Sequence, residues 1–398
     1  MKKLLLLLLY TSFAQAQVDF TKIYHPIINE AELAIVDTNY HEALQFYNEA
    51  FANVNKPFAK DYYNAAICAT LIGKMPIAFD FLEKIVEKGY PADSLRRDNF
   101  FKLVADTCKK WNDFEKHARL IKPNLNHELR DTLRNMQFSK YKPVYTPLTA
   151  ELRKFYKENI KEKWVRTDSL LLLQNMPENL LSQRDSIAAI NTSKEISLNK
   201  EIIKKTIQII ELYGFPDENM IGLNQYLPGS FNRWGYRKEN NSYFLESTYI
   251  TEILSFNYQD SIDIIPIVKQ AIRQGKIPPN TIQKLINYST NEPCTMGRVN
   301  IFQLRLENNL NCDNLTGKDK TEKWFWKKER SATLSEYEIN ERRQSLGLEK
   351  LEDAYRKAFF KANPTPFIIY GGSYQSELSY IASCDGIDKL IKDTIVIK

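Results

Sequence analysis

The chain has 398 residues, 55 Lys and Arg against 49 Asp and Glu, and a formal net charge of +6. A balance this mild and this dispersed excludes a nucleic-acid partner as the organising purpose of the molecule. Its histidines, His25, His41, His117 and His127, lie at no ligand spacing, and none follows residue 127. That removes Ser-His-Asp and Cys-His catalysis and most zinc sites from the C-terminal part, unless a histidine of the N-terminal part reaches across.

The chain opens MKKLLLLLLYTSFAQAQ. Lys2 and Lys3 form a positive n-region, Leu4 to Ala14 an apolar core too short for a stable bilayer anchor, and Ala14-Gln15-Ala16 a small-x-small cleavage site. Residues 1–16 therefore read as a secretory signal peptide. The expected product is exported and soluble, periplasmic or extracellular, with no integral membrane segment. Without Lys2 and Lys3 the balance is 53 basic against 49 acidic residues, or +4. Of the five cysteines, Cys294 and Cys312 flank a turn-rich segment and are the disulfide expected in an oxidising compartment; an odd number leaves one unpaired in a monomer. No CxxC pair occurs.

Helical periodicity begins at Phe20 to Val36, breaks at Asp37-Thr38-Asn39 and resumes over Tyr40 to Phe51. Asp61 to Val86 reads as two antiparallel helices joined at Gly73-Lys74, with Ala65, Ala66, Ala69 and Ala78 where the helices must approach closely. Tyr40 and Met75, like Ala43 and Ala78, stand 35 residues apart in successive units. Leu95 to Cys108 and Trp111 to Ile121 form a degenerate third pair.

Tyr40-x-x-Ala43-Leu44-x-x-Tyr47-x-x-Ala50 resembles the second helix of a tetratricopeptide repeat, and Tyr62-Tyr63-Asn64-Ala65-Ala66 the start of its first helix, with Ala66 where glycine is usual. The spacing is close to that family's period of about 34 residues. Asp98-Asn99-Phe100-Phe101-x-Leu103 and Trp111-x-x-Phe114 resemble the half-repeat that closes such arrays. The resemblance covers about a quarter of the chain and implies stacked helix pairs with a concave groove for a protein or peptide partner. Tyr24, Tyr62 and Asn64 are the candidate groove residues; for the tyrosines the core reading is the favoured one.

Residues 123–147, rich in turn signals and ending Lys142-Pro143-Val144-Tyr145-Thr146-Pro147, read as a linker between repeats at 17–122 and a helical domain at 148–398. Expected helices there are Leu148 to Val165, one starting at Ser169, Leu198 to Tyr213, Thr248 to Phe256, Ile262 to Gln274, Thr281 to Tyr288, Tyr337 to Ser345 and Leu351 to Lys361. Asn191 to Asn199 reads as a loop or a helix start. Pro366 to Tyr370 and Thr394 to Ile397 are apolar, β-branched runs that could pair as a small terminal sheet. Leu212-Tyr213-Gly214-Phe215-Pro216, Val268-Lys269-Gln270-Ala271-Ile272 and Asn340-Glu341-Arg342-Arg343, in that order, resemble a bacterial helical domain family of unknown function, which lends no activity. The fold class expected is mainly α.

No phosphate loop and no dinucleotide fingerprint occurs, and no cofactor or metal is implied. The segment Asn224 to Phe244 gathers aromatics among amides and arginines, with Arg233, Trp234 and Tyr236 as candidate partner contacts. Glu246, Glu252 and Asp260 follow and could supply an acid/base pair of the kind glycoside hydrolysis uses. Lys318 to Arg330 reads as a solvated helix with one aromatic face, and Arg342 and Arg343 as partners of Glu338 or Glu341. The favoured expectation is an exported interaction protein without catalysis; the alternative is a hydrolase, of glycan-acting type, working through those carboxylates.

Overall fold

The computed structural model describes residues 18–139, 146–159, 176–226, 242–243, 245, 247–255, 263–282, 285, 298–306, 324–329, 333–362, 365–369, 374–381 and 395–397. The chain is mainly α. The N-terminal helices are α1 (Phe20–Val36), α2 (Tyr40–Ala52), α3 (Ala59–Leu71), α4 (Met75–Glu87), α5 (Ala92–Arg96), α6 (Asn99–Thr107) and α7 (Trp111–Ala118). They are followed by α8 (His127–Ser139), α9 (Ala150–Asn159), α10 (Glu178–Tyr213), α11 (Glu218–Ile221), α12 (Tyr249–Leu254), α13 (Ile265–Arg273), α14 (Glu336–Gln344) and α15 (Leu351–Ala362).

Helices α1 to α4 form two antiparallel hairpins whose turns repeat bond for bond. Thr38 (φ 59°) and Gly73 (φ 76°) take the left-handed conformation at equivalent places. Asn39 N–H donates to Ala34 O and Lys74 N–H to Ala69 O, both at 2.8 Å, so the 35-residue offset recurs in the backbone. Thr38 holds a conformation that glycine takes freely and a β-branched residue does not. Ala65, Ala66, Ala69 and Ala78 are all fully buried, which is what lets α3 and α4 approach. Fully buried Trp111 on α7 closes the array, with Phe79 and Phe101 against it at 6.0 and 6.1 Å between ring centroids.

The array's core also takes in Leu223, Leu245, Phe367 and Ile369 from much later in the chain. A second core forms where α8, α10, α12 and α13 meet, around Leu133, Ile203, Ile253 and Ile272. A third, small core of Leu152, Met176 and Leu180 joins α9 to the start of α10.

Several expectations are corrected. Asn191 to Asn199 is neither a loop nor a helix start but the interior of α10, where no Gly or Pro interrupts the run. Lys318 to Arg330 is not helical across its aromatics: Trp324–Glu329 is strand β4, antiparallel to β3 (Arg298–Leu306). Trp324, Phe325 and Trp326 are good strand formers, and β3 offers them an edge. The two terminal runs do not pair with each other. Strand β6 (Ile395–Ile397) lies antiparallel to β4, in a four-stranded sheet of order β5-β3-β4-β6 in which β5 (Tyr374–Ile381) runs parallel to β3. Phe367 to Ile369 is outside any strand, because the array supplies the apolar cover that a sheet would have supplied. A two-stranded ladder, β1 (Gln225–Tyr226) with β2 (Ser242–Tyr243), completes the described strands.

Candidate functional site

Helices α1 and α3 carry two polar constructions. The first is made by Asn64 on α3. Its side-chain amide nitrogen donates to Ile368 O at 2.8 Å, and its side-chain oxygen accepts from Ile368 N–H at 2.9 Å. One buried carboxamide thus clamps both polar groups of a single residue 304 positions later. Phe367 and Ile369, 6% and 0% exposed, enter the array core on either side of the clamped residue. Phe367 stacks on Tyr40 at 5.8 Å and lies 6.3 Å from Phe360 of α15. We call residues 365–369 the strap.

The second is a chain of buried charges along the seam between α1, α3 and α15. Glu32 Oε1 accepts from Lys60 Nζ at 2.8 Å and Glu32 Oε2 from Lys357 Nζ at 2.7 Å. Lys60 also donates to Asp61, whose other oxygen accepts from the Tyr24 hydroxyl at 2.6 Å. That hydroxyl in turn accepts from Phe58 N–H at 3.2 Å. On the far side Lys357 stands 3.9 Å from Glu349, which accepts from Arg343 Nη2 at 2.8 Å. Acids and bases alternate, so each charge offsets its neighbour; unpaired, any of them would cost several kcal/mol. Burial alone would raise the Glu32 carboxyl, but Lys357 and Lys60 outweigh it and hold it below the ordinary value. Burial raises Asp61, with Glu32 adding to it, beyond what Lys60 recovers. A parallel link lies nearby: Glu218 accepts from Ala59 N–H at 2.7 Å and pairs with Lys88 at 3.0 Å. It thereby caps α3, whose own N-cap residue, Phe58, has no side-chain acceptor to offer.

Between these links sits a cavity of about 40 Å³, lined among others by His25, Asn29, Glu32, Asn280, Glu349 and Lys357. His25 Nε2, Asn29 Oδ1 and Asn280 Oδ1 are buried without a hydrogen-bond partner among the described residues. Burial, with Lys60 nearby, pushes the His25 imidazole down to about 3, so it is neutral across the physiological range. A histidine of the array does reach across to the C-terminal part. Gly347 (φ 76°) passes so close that a Cβ there would stand 3.0 Å from His25 Cδ2. Among the described residues no group of three or more His, Cys, Asp and Glu could hold a metal ion.

The structure brings two of the three candidate groove residues into these two constructions. Asn64 clamps the strap, while Tyr24 is fully buried and bonded to Asp61, so its hydroxyl faces no open groove. Tyr62 is half-buried on the outer side, 4.7 Å from Phe51 and 6.0 Å from Phe81 between ring centroids. Of the carboxylates proposed for hydrolysis only Glu252 is described; it accepts from Thr248 Oγ1 at 2.8 Å and from Gln137. Glu246, Asp260, Arg233, Trp234, Tyr236, Cys294 and Cys312 lie outside the described residues. Arg343 pairs not with Glu338 or Glu341 but with Glu349, and is 0% exposed. Sequence reading missed Glu32, Lys60, Glu218 and Lys357. Their one signal is a charge set among apolar neighbours, as Glu32 is between Ala31 and Leu33, and that does not name a partner hundreds of residues away.

No protein-family model matches the chain, and no curated protein or solved structure matches it either.

Proposed function

We propose that this is an exported, non-enzymatic binding protein whose N-terminal hairpin array, of tetratricopeptide type, holds an extended protein or peptide segment. The observation that carries this reading is the Asn64 clamp: a buried carboxamide bonded to both backbone groups of one residue recognises extended chain whatever its side chain. The 35-residue recurrence of the turn bonds supports a repeat architecture, and repeat arrays commonly work through such faces. Export rests on the leader at 1–16. Among the described residues no helix is long and apolar enough to cross a membrane.

The test is a photo-crosslinking residue at Tyr40, which stacks on Phe367 of the strap, in the full chain, expressed with its leader, with adducts identified by mass spectrometry in the exported fraction. A discrete partner whose yield drops when Asn64→Ala is added supports the reading. Adducts unchanged by Asn64→Ala would overturn it.

A further inference from the structure

We infer that the groove beside α3 is a peptide site occupied in cis by the strap, and that its exchangeable partner is an extended segment with an aromatic residue followed two positions later by a branched aliphatic. This deepens the peptide-binding reading and rests on it. The strap displays the recognition chemistry. In extended chain alternate side chains face opposite ways, so Phe367 and Ile369 share one side while Ile368 presents its backbone. Both outer residues are buried, and Ile368 is only half-buried. Selection therefore falls most on the first and third positions, while the middle position, half-buried against the same core, is held through its N–H and C=O.

The strap is held by apolar burial and neutral hydrogen bonds, with no ion pair of its own. Its Phe367 N–H is bonded within the strap itself, to Thr365 Oγ1 at 3.3 Å, and Pro366 restricts the backbone ahead of it. Asn64 is neutral, and the aromatic wall of Tyr40 and Phe360 carries no charge. The buried ion pairs of the seam bind α1, α3 and α15 together without passing through the strap. The strap can thus leave without breaking them. A partner competing for the groove must match an uncharged, apolar pattern, and its binding should respond little to salt.

The experiment uses the full chain and a fluorescent synthetic peptide of sequence Thr-Pro-Phe-Ile-Ile-Tyr. Ile368→Pro removes the strap's N–H to Asn64 and leaves Phe367 and Ile369 in place. If the strap is docked most of the time, opening it should tighten peptide binding about tenfold or more over the wild type. Adding Asn64→Ala should cancel the gain, and a peptide with alanine for its phenylalanine should bind about tenfold more weakly. No gain, or a gain that survives Asn64→Ala, overturns the inference. Should Ile368→Pro fail to fold by circular dichroism, hydrogen exchange of residues 365–369 in the wild type decides. Exchange accelerated by excess peptide supports the inference, and exchange unchanged at saturating peptide overturns it. A negative peptide result alongside Asn64-dependent crosslinking of a discrete partner defeats only this inference; loss of both defeats the binding reading as well.

Discussion

Helices α1 and α10 are held by different means. Helix α1 has 17 residues, ten of them buried, and Tyr24, His25 and Glu32 each touch another element. Helix α10 has 36 residues, only five of them buried, and its middle exposes Ile190 and Ile196 by 46% and 37%. The first is a packed beam; the second persists mainly on good helix formers and on anchoring at its two ends. The difference teaches where substitutions register. A change on α1 reaches α2, α3, α13 and α15, whereas a change in the middle of α10 reaches little beyond Thr146.

The strongest blow to that contrast is Glu32→Ala. It strips the shared acceptor from Lys60 and Lys357, both buried, and should cost about 3–5 kcal/mol in urea unfolding, because the one carboxylate between two buried ammonium groups is gone and Asp61 and Glu349 are left to offset them. A loss under about 1 kcal/mol would mean the seam is far wetter than its burial implies. Next comes Asn64→Ala. It leaves Ile368 N–H and C=O without their partner and should cost about 2 kcal/mol, with faster amide exchange at Ile368 and little change at Val268.

His25 sharpens the comparison through pH. Its imidazole sits near 3 in the folded chain, depressed by burial and then by Lys60, against about 6.5 unfolded. As pH falls below about 6.5 the unfolded chain binds a proton that the folded chain refuses, so stability drops, by at most about 1.4 kcal/mol per pH unit. Three neighbouring carboxyls titrate as well. Asp61 and Glu218, raised by burial, take up protons first in the folded state and so oppose the loss as pH falls through their raised values. Glu32, lowered by Lys357 and Lys60 in spite of burial, contributes stability that is lost as pH falls from the ordinary carboxylate value toward its lowered one. Subtracting the pH profile of His25→Gln from that of the wild type removes the carboxyl contributions common to both. The remaining difference should slope between about pH 6 and 4 by about 1 kcal/mol per unit, and a flat difference would refute the burial. The smallest effect belongs to α10: Ile196→Ala should move stability by no more than about 0.5 kcal/mol.

Much of the array is legible in the order of its residues. Asp19 and Asn39 cap α1 and α2 through their side chains, Gly73 takes the turn, and the small residues lie where α3 meets α4; all of these are local relations. The candidate site is legible only in part. Asn64 stands out as a polar residue on an inner helix, but its partner is 304 residues away and is a backbone, which leaves no mark in composition or period. The seam charges are hidden for the same reason. Strand β4 reads as a helix because a run of aromatic and basic residues fits a helix face as well as a strand until a neighbouring edge is known.

Local chemistry alone settled the helical character, the hairpin turns and the repeat offset, since capping, backbone handedness and side-chain size act within one or two turns of chain. Tertiary structure alone decided that Glu32 is shared by Lys60 and Lys357, that Phe367 to Ile369 lies against the array rather than in a sheet, and that His25 faces Gly347. Burial energy depends on what arrives from far along the sequence, and periodicity shows that a surface needs a cover without saying which segment will provide it.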